Sequence, residues 1–328
     1  MRSISFGQAT IEAMTAAMRE DPAVIIMGED IGWGGNFGQF KGLLGEFGPE
    51  RIIDMPISEA LILGAAVGAA VTGTRPVASM SFVEFTMGAM DEIVNQAAKF
   101  RYMFGGQVSV PLVLRASDGV LRSSGPQHSG SLESFFTHVP GLKVVAPSNP
   151  ADAKGLLRSA IDDDDPVIYL ENKKITSRRG QVPEGDYRTP LGQASVVREG
   201  RDVSLITYSV MTQHALEAAR QLDGDHSVDA EVVDLRSLVP LDLDTLLGSA
   251  AKTRRAVVCH EAWKFGGFGA ELVAQISNQL FGELEAPVGR VGARSAPTAF
   301  SPPLERALVP EAREIVETTL HVLGLGRR

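Results

Sequence analysis

Several features that would assign a functional class at once are missing from this chain of 328 residues. It has a single cysteine, Cys259, inside the apolar run Ala256-Val257-Val258-Cys259. No intrachain disulfide framework can form, so the thiol reads as a small buried hydrophobe in a reducing, cytoplasmic setting. The first ten residues lack the apolar core of a secretory signal, in keeping with that expectation. The longest apolar stretch, residues 60–71, falls short of the ~20 residues a membrane-spanning helix needs, and no membrane contact is expected. Positive charge is scarce as well. A net charge of −9, with basic residues no more clustered than pairs such as Arg178-Arg179, Arg254-Arg255 and Arg327-Arg328, argues against a nucleic-acid partner, which requires basic patches to displace counterions. The histidines are far apart and no Cys-x-x-Cys or His-x-x-x-His spacing occurs, so a compact metal cluster is not expected. Gly-x-Ser-x-Gly and Gly-Lys-Ser/Thr are also absent, which removes the serine-hydrolase and nucleotide-hydrolase readings.

With 44% hydrophobic and 22% charged residues the composition is that of a globular protein, and the length exceeds one usual hydrophobic core, so two domains are expected. Short β-rich runs alternate with helical patterns, the signature of an α/β fold with doubly wound parallel sheets. Strands are predicted near residues 24–27, 77–80, 111–115, 143–146 and 167–170. Helices are predicted after Glu59, around 86–103, near 131–137 and over 151–161. Residues 171–191 are polar, carry Pro183, Gly185 and Pro190, and read as an interdomain linker. This sets one domain at 1–175, a linker at 176–190 and a second domain at 191–328. The second repeats the alternation, with strands near 203–207, 230–234, 256–259 and 288–291 and helices near 213–222, 243–251 and 269–281. Ligands bind beyond the carboxyl ends of strands in such sheets, so Gly28-Glu29-Asp30, residues 81–85 and Ser117-Asp118-Gly119 should converge. The glycine-rich stretch 28–48 reads as an active-site loop.

Glu59 is the most informative residue. It ends the segment Arg51-Ile52-Ile53-Asp54-Met55-Pro56-Ile57-Ser58-Glu59 and precedes a helix that is apolar on every side, the pattern of a helix buried all round. A carboxyl there serves as a first-turn acid worth about 0.3–1 kcal/mol, or as a buried group sharing a proton with a ring nitrogen of a bound heterocycle. His128, in Ser124-Gly125-Pro126-Gln127-His128-Ser129-Gly130-Ser131, lies in a loop of small residues where an imidazole can reach a ligand. Packing is the alternative account for it. Among the other histidines His260 stands out, because it ends a predicted strand. Aromatic residues make up only 6%, yet Phe82 and Phe85 flank Glu84 directly after the second strand, either as packing or as a platform for a planar ring.

Pro56-Ile57-Ser58-Glu59 before a small-residue helix, Phe82-Val83-Glu84-Phe85, Asn95-Gln96-Ala97-Ala98-Lys99-Phe100-Arg101-Tyr102-Met103, Gln127-His128-Ser129 and Pro140-Gly141-Leu142-Lys143-Val144-Val145 occur together and in order. Over nearly its whole length the chain resembles the β subunit of the thiamine-diphosphate-dependent E1 component of 2-oxo acid dehydrogenase complexes, of the transketolase superfamily. The resemblance implies a pyrimidine-binding domain followed by a transketolase-type C-terminal domain, in an α2β2 heterotetramer that serves an E2 lipoyl acyltransferase core. Glu59 then matches the glutamate that hydrogen-bonds the aminopyrimidine ring and starts cofactor activation. Phe85 matches the aromatic residue packed on that ring, with Ile57 and Ser81 also beside the cofactor. His128 matches the histidine that meets the incoming lipoyl group. Backbone carbonyls at Leu112, Ala160, Asp163 and Asp165 match a structural potassium site.

Thiamine-diphosphate enzymes hold Mg2+ and the diphosphate through Gly-Asp-Gly and a later Asn-Asn, and neither occurs here. The resemblance therefore assigns that half to an α subunit. The segment from Asn95 to Gly106, and Ala299-Phe300-Ser301-Pro302-Pro303-Leu304-Glu305, look most like the acetoin-cleaving branch. Pyruvate and branched-chain members share much of both. Ser81 stands where some pyruvate-type members carry methionine. The ending Leu323-Gly324-Leu325-Gly326-Arg327-Arg328 is basic where relatives often present acidic contacts to E2. Two rival readings remain: a split-chain synthase of the same superfamily without a lipoyl partner, and a non-catalytic chain that stabilises an α subunit.

Overall fold

The computed structural model describes residues 1–326; Arg327-Arg328, the basic end of the chain, lies outside them. The chain forms two compact units, one of Met1–Asp118 and Phe135–Leu191, the other of Gly119–Ser134 and the residues from Gly192 onward. The segment carrying His128 thus groups with the second unit, not with the residues on either side of it.

The first unit begins with strand β1 (Arg2–Ser5), a short element not predicted from the sequence, and helix α1 (Phe6–Glu20). Ser5 starts the helix because its hydroxyl accepts the Gln8 amide at 3.1 Å, satisfying one of the first-turn donors. Phe6, Ala9, Thr10, Ala13, Met14, Ala17 and Met18 recur at three- and four-residue spacing and form its buried stripe. Next come β2 (Val24–Gly28), helix α2 (Leu43–Phe47), β3 (Ile52–Asp54), α3 (Glu59–Val71), β4 (Arg75–Met80) and α4 (Ala98–Met103). They are followed by β5 (Val113–Asp118), α5 (Glu133–Thr137), β6 (Lys143–Val145), α6 (Pro150–Asp162), β7 (Val167–Asn172) and β8 (Arg179–Val182). Strands β6, β7, β5, β4, β2 and β3 stand side by side in that order, all parallel. Helices α1 and α6 bury Met14, Met18, Leu156 and Leu157 against Val24, Ile26, Val77 and Val113 of the sheet. The chain leaves β2 towards β3 and leaves β4 towards β5, on opposite sides. The topological switch point, where such sheets open a crevice, lies between the carboxyl ends of β2 and β4. Gly28 is required there, because a Cβ at that position would stand 2.8 Å from the Ser79 carbonyl oxygen.

Three expectations differ from the structure. Residues 86–103 are not one helix: Val83–Ala89 is a 3₁₀ helix, Glu92–Ala97 a π-helix, and only α4 is regular. Such departures from regular helix concentrate at functional sites. Helix α3 is not buried all round. Ile62, Leu63, Ala66, Val67 and Ala70 face the core, while Ala60, Leu61, Gly64 and Gly68 are exposed. The expected linker is also partly ordered as β8, which pairs antiparallel with β1, Arg2 opposite Val182 and Ser5 opposite Arg179.

In the second unit β9 (Ser195–Arg198), β10 (Val203–Thr207), β11 (Ala230–Asp234), β13 (Ala256–Trp263) and β14 (Gly289–Ala293) form a sheet of order β14-β13-β10-β11-β9. It is parallel except for β9, and β12 (Ser237–Val239) stands outside it. Its helices are α7 (Met211–His226), α8 (Leu243–Thr253), α9 (Gly269–Gln279), α10 (Pro302–Leu308) and α11 (Ala312–Val322). Cys259 is buried on β13, as its apolar neighbours implied, and burial pushes its thiol pKa well up.

His260, also on β13, is fully buried. A Cβ at Gly267, Gly269 or Gly292 would stand 2.6, 2.4 or 2.9 Å from its ring, so three glycines make its slot. Burial, helped by the charge of Arg290, lowers the imidazole to about 4, and the ring is neutral at physiological pH. An unfolded histidine takes up a proton near pH 6.5. Between that value and about 4 the unfolded chain therefore binds more protons than the folded one, and stability falls as pH falls through this window. We expect urea unfolding of the full chain to show about 2 kcal/mol less stability at pH 5 than at pH 7 from this group, and His260→Gln to lose that part of the slope. An unchanged slope in the variant would assign the pH dependence to other groups.

Candidate active site

The crevice at the carboxyl end of β2 and β4 is built from three segments of the first unit. The first is the loop after β2, where Glu29 and Asp30 lead into a 3₁₀ turn at Ile31–Trp33. Asn36 of this loop donates from Nδ2 to the Ser81 hydroxyl at 3.0 Å, and the Phe37 ring meets the Phe82 ring edge-on at 5.9 Å. The second is the turn after β4. Ser81 is buried, and Phe82 and Phe85 pack edge to face at 5.5 Å, with the Lys173 ammonium 5.2 Å from the Phe82 ring centroid. The third is the N-terminus of α3. Ser58 is its N-cap in extended conformation without a side-chain cap bond, and Glu59 opens the first turn.

The Glu59 carboxyl lies over Gly88 of the 3₁₀ helix, with Oε2 3.6 Å from the point a Cβ would occupy. Any larger residue at 88 would narrow the space beside that carboxyl. Glu29 lies close enough for the two charges to interact. Burial raises the Glu29 pKa first, and the neighbouring charges of Asp30 and Glu59 raise it further. The result is a pair of interacting carboxyls, Glu59 at the N-terminus of α3 and Glu29 in the loop after β2; Ile57, two residues before Glu59, is 79% exposed, and the Phe85 ring is partly exposed. Glu59, Phe85 and Ser81 are thus drawn to one edge of the sheet. Asn36 and Gly88 belong to the same edge and were not singled out from sequence; Glu29 was anticipated only as part of Gly28-Glu29-Asp30, the segment directly past a strand at the switch point.

His128 is described within the second unit. It ends the 3₁₀ turn Pro126–His128 and is half-buried. Its loop is tied down on both flanks: Gly119 N–H donates to the Gly130 carbonyl at 2.7 Å, Ser123 N–H to Glu305 Oε2 at 2.8 Å, and the Ser131 hydroxyl to Glu261 Oε2 at 3.3 Å. Below it the Tyr208 hydroxyl donates to the buried Glu133 carboxyl at 2.5 Å. Burial raises the pKa of Glu133, while the Tyr208 hydrogen bond opposes the rise. His260 has no such accessible setting.

The residues matched to a potassium site lie around the end of α6. Leu112 and Ala160 are buried, and the Leu112 carbonyl accepts the Val167 amide at 2.8 Å. The Asp163 carbonyl accepts from Arg75 Nη1 at 3.1 Å, and the Lys143 ammonium reaches the carboxylates of Asp163 at 2.7 Å and Asp165 at 3.2 Å. Arg101 also pairs with Asp165. The acidic run is thereby neutralised by internal cations. Carbonyl oxygens at a helix C-terminus retain a second lone pair and the negative end of the dipole, a donor set of the right chemistry for a monovalent cation. Among the described residues no group of three or more His, Cys, Asp or Glu side chains is placed to hold a metal ion.

The profile of the family described as transketolase, pyrimidine binding domain, matches residues 2–178, and that of the transketolase C-terminal domain matches residues 192–315. The acetoin:2,6-dichlorophenolindophenol oxidoreductase subunit beta of Cupriavidus necator is 46% identical over 99% of both chains, and its Bacillus subtilis counterpart 44% over 98% of both. The pyruvate dehydrogenase E1 component subunit beta of Porphyra purpurea is 40% identical over all of this chain and 99% of its own. Among solved structures, a split-gene transketolase described as an inactive beta4 tetramer superposes with a TM-score of 0.78 at 26% identity, over 99% of both chains. Two consecutive family profiles and relatives matched from end to end leave no ambiguity: this chain belongs to the transketolase-type family that includes the β subunits of acetoin oxidoreductases and of the pyruvate dehydrogenase E1 component.

Proposed function

We propose that this chain is the β subunit of a thiamine-diphosphate-dependent enzyme that acts on acetoin or a related 2-oxo acid, works with an α subunit in an α2β2 assembly, and passes its product to the lipoyl group of an E2 core. The observation that carries this reading is the Glu59 carboxyl at the N-terminus of α3, over Gly88 and beside the raised-pKa carboxyl of Glu29. The residues present fit the aminopyrimidine half of the cofactor. Glu59 offers a carboxyl to a ring nitrogen, the Phe85 ring is braced by Phe82, and Ile57 offers an apolar contact.

Bound thiamine diphosphate supplies the carbanion chemistry needed to cleave a C–C bond beside a carbonyl. Glu59 holds the ring and moves a proton at its carboxyl oxygen, a role that needs water displaced. Phe85 and Ile57 orient the ring and exclude water. His128 serves the acyl-transfer step. The Mg2+ and diphosphate contacts fall to the α subunit. Acetoin is the favoured substrate, because the two acetoin oxidoreductase subunits are 46% and 44% identical to this chain against 40% for the pyruvate dehydrogenase subunit. A potassium ion on the carbonyls of Leu112, Ala160, Asp163 and Asp165 would share the Asp163 carbonyl with Arg75.

The direct test is dye-coupled oxidation by the chain co-purified with its α partner, with and without thiamine diphosphate and Mg2+, across acetoin, pyruvate and branched-chain 2-oxo acids. Cofactor-dependent turnover, highest on acetoin, is expected. A well-formed assembly inert to all three would favour a synthase or a non-catalytic stabilising chain. In that assembly Glu59→Gln is expected to lower turnover by about 10²–10⁴-fold with unchanged assembly by gel filtration, and near-normal turnover would remove Glu59 from catalysis. His128→Ala should lower lipoamide-coupled turnover at least about tenfold more than dye-coupled turnover, as loss of a general acid–base group does for one step. Equal losses in the two assays would count against an acyl-transfer role. For the cation, the melting temperature in KCl should exceed that in choline chloride at equal ionic strength, through mass-action stabilisation of the folded state; identical values would argue that Arg75 and Lys143 leave the ion no role.

A further inference from the structure

The loop that carries His128 belongs to a surface whose charge runs against that of the chain. Three segments of the second unit build it, residues 119–132, 262–270 and 289–310. Hydrogen bonds hold them together. Lys264 N–H donates to the Ala293 carbonyl at 2.9 Å, Trp263 Nε1 to the Ala296 carbonyl at 2.9 Å, and Arg294 N–H to the Leu308 carbonyl at 3.0 Å. The Phe300 ring lies against Gly125, where a Cβ would stand 2.2 Å from it. Ser129, next to His128, shares a small pocket with Trp263, Arg294 and Leu308.

The acids of this region are withdrawn from its surface. Glu305 is the one carboxyl within the three segments, and it is buried on the Ser123 amide. Glu133 and Glu261, which flank them, are buried as well. What stays exposed is basic: Arg122, Lys264, Arg294 and Arg306, none of which forms an ion pair among the described residues. Elsewhere arginines such as Arg158, Arg188 and Arg254 are held by carboxylates. A patch of unbalanced positive charge therefore persists on a chain of net charge −9. Apolar side chains stand among these cations, Phe265 88% and Phe300 66% exposed, with Leu304 exposed beside Glu305. Large exposed apolar groups rimmed by polar ones mark interaction sites, and arginine and aromatic side chains carry much of the energy of such contacts. Charge complementarity selects an acidic partner. A nucleic acid fits less well, because the net charge repels a long polyanion and because Leu304, Pro302 and Pro303, all exposed, offer bases no aromatic face to stack on.

We propose that this surface docks an acidic protein domain, the one that presents the acyl acceptor to His128. That the domain carries the acceptor rests on the function proposed above; that it is acidic does not. The probe is a fluorescent peptide of Glu, Leu and Ser residues with one lipoyl-lysine at its centre, followed by anisotropy on the full chain co-purified with its α partner. A peptide with Lys in place of Glu, and oligothymidylate, are the comparators. Saturable binding of the acidic peptide alone is expected, weakened about tenfold or more by Arg294→Glu combined with Arg306→Glu, and by raising salt from about 50 to 500 mM. These side chains are exposed and make no ion pair, so the substitutions should leave folding intact, and Lys264→Glu supplies an independent variant. In the coupled reaction the double variant should raise KM for the peptide-borne lipoyl group about tenfold and leave dye-coupled turnover unchanged. No saturable binding, binding indifferent to these substitutions, or oligothymidylate binding that they abolish would overturn the docking surface. Variant-sensitive binding with an unchanged KM would overturn the assignment of its partner as the acceptor's carrier. An assembly without any turnover would count against the function proposed above, and the anisotropy then decides the surface by itself.

Discussion

Arg115 is the charge around which the first unit is organised. It is 2% exposed, rises from the middle of the sheet on β5, and makes contacts to three separate segments. Its guanidinium bonds Glu171 on β7 and Thr10 on α1, reaches the Gln39 carbonyl in the loop after β2, and sits 5.0 Å from the Phe40 ring centroid in that same loop. Removing one member of such a buried pair leaves an uncompensated charge at a cost of about 3–5 kcal/mol. The pair therefore specifies geometry more than it adds stability. Fixing residues 39 and 40 fixes the loop before them, and that loop carries Asn36 to Ser81 and Phe37 to Phe82. That loop at the carboxyl edge of the sheet is thereby tied to a charge buried among α1, β5 and β7.

The parallel sheets were legible because their strands are short, β-branched and buried on both faces. Strands β10 and β11 lie where the apolar runs at 203–207 and 230–234 placed them. Boundaries moved where tertiary pairing extends a strand past its apolar run. Thus β13 continues through His260, Glu261 and Trp263, since glycines on neighbouring segments make room for the imidazole. Strands β1 and β8 were missed for another reason. Each is four residues long and polar on one side, and neither has a pattern apart from the other. Their pairing across more than 170 residues is a tertiary fact. The region 86–103 looked like one helix because its apolar spacing is helical throughout. The backbone instead tightens to 3₁₀ around Gly88 and loosens to π after it, and the tight part lets the Glu59 carboxyl lie close.

At the site, residue types at strand ends were legible and partners were not. Glu59 stood out because a lone carboxyl heads an apolar run, and the run was overread as a helix covered on all sides. Its low amphipathicity arises from small residues on the outer face, not from burial: Ala60, Gly64 and Gly68 face outward beside Leu61. Glu29 was legible only as part of the loop after the first predicted strand, because its approach to Glu59 is created by the sheet topology. The grouping of His128 with the second unit was invisible for the same kind of reason. Its loop is held through Glu305, Glu261 and Gly130, two of them more than 100 residues away in sequence.

The half-open state of Glu59 bears on how such a site works. A carboxyl that exchanges a proton with a ring nitrogen must be desolvated when the ring is present, yet a carboxyl buried permanently beside another would lose its charge without any ring. Glu29 shows the direction of this effect, its pKa raised by burial and by the charges of Asp30 and Glu59. Glu59 itself is only half-buried, with Ile57 and the small-residue face of α3 exposed around it. The remaining cover must then come from the ring and from whatever surface closes over α3. Gly64 and Gly68 have no Cβ to hold such a surface away, and a Cβ at Gly68 would meet nothing within 4 Å. If the α-subunit pairing proposed above holds, the surface closing over α3 would also exclude water from Glu59, which this chain leaves half-exposed.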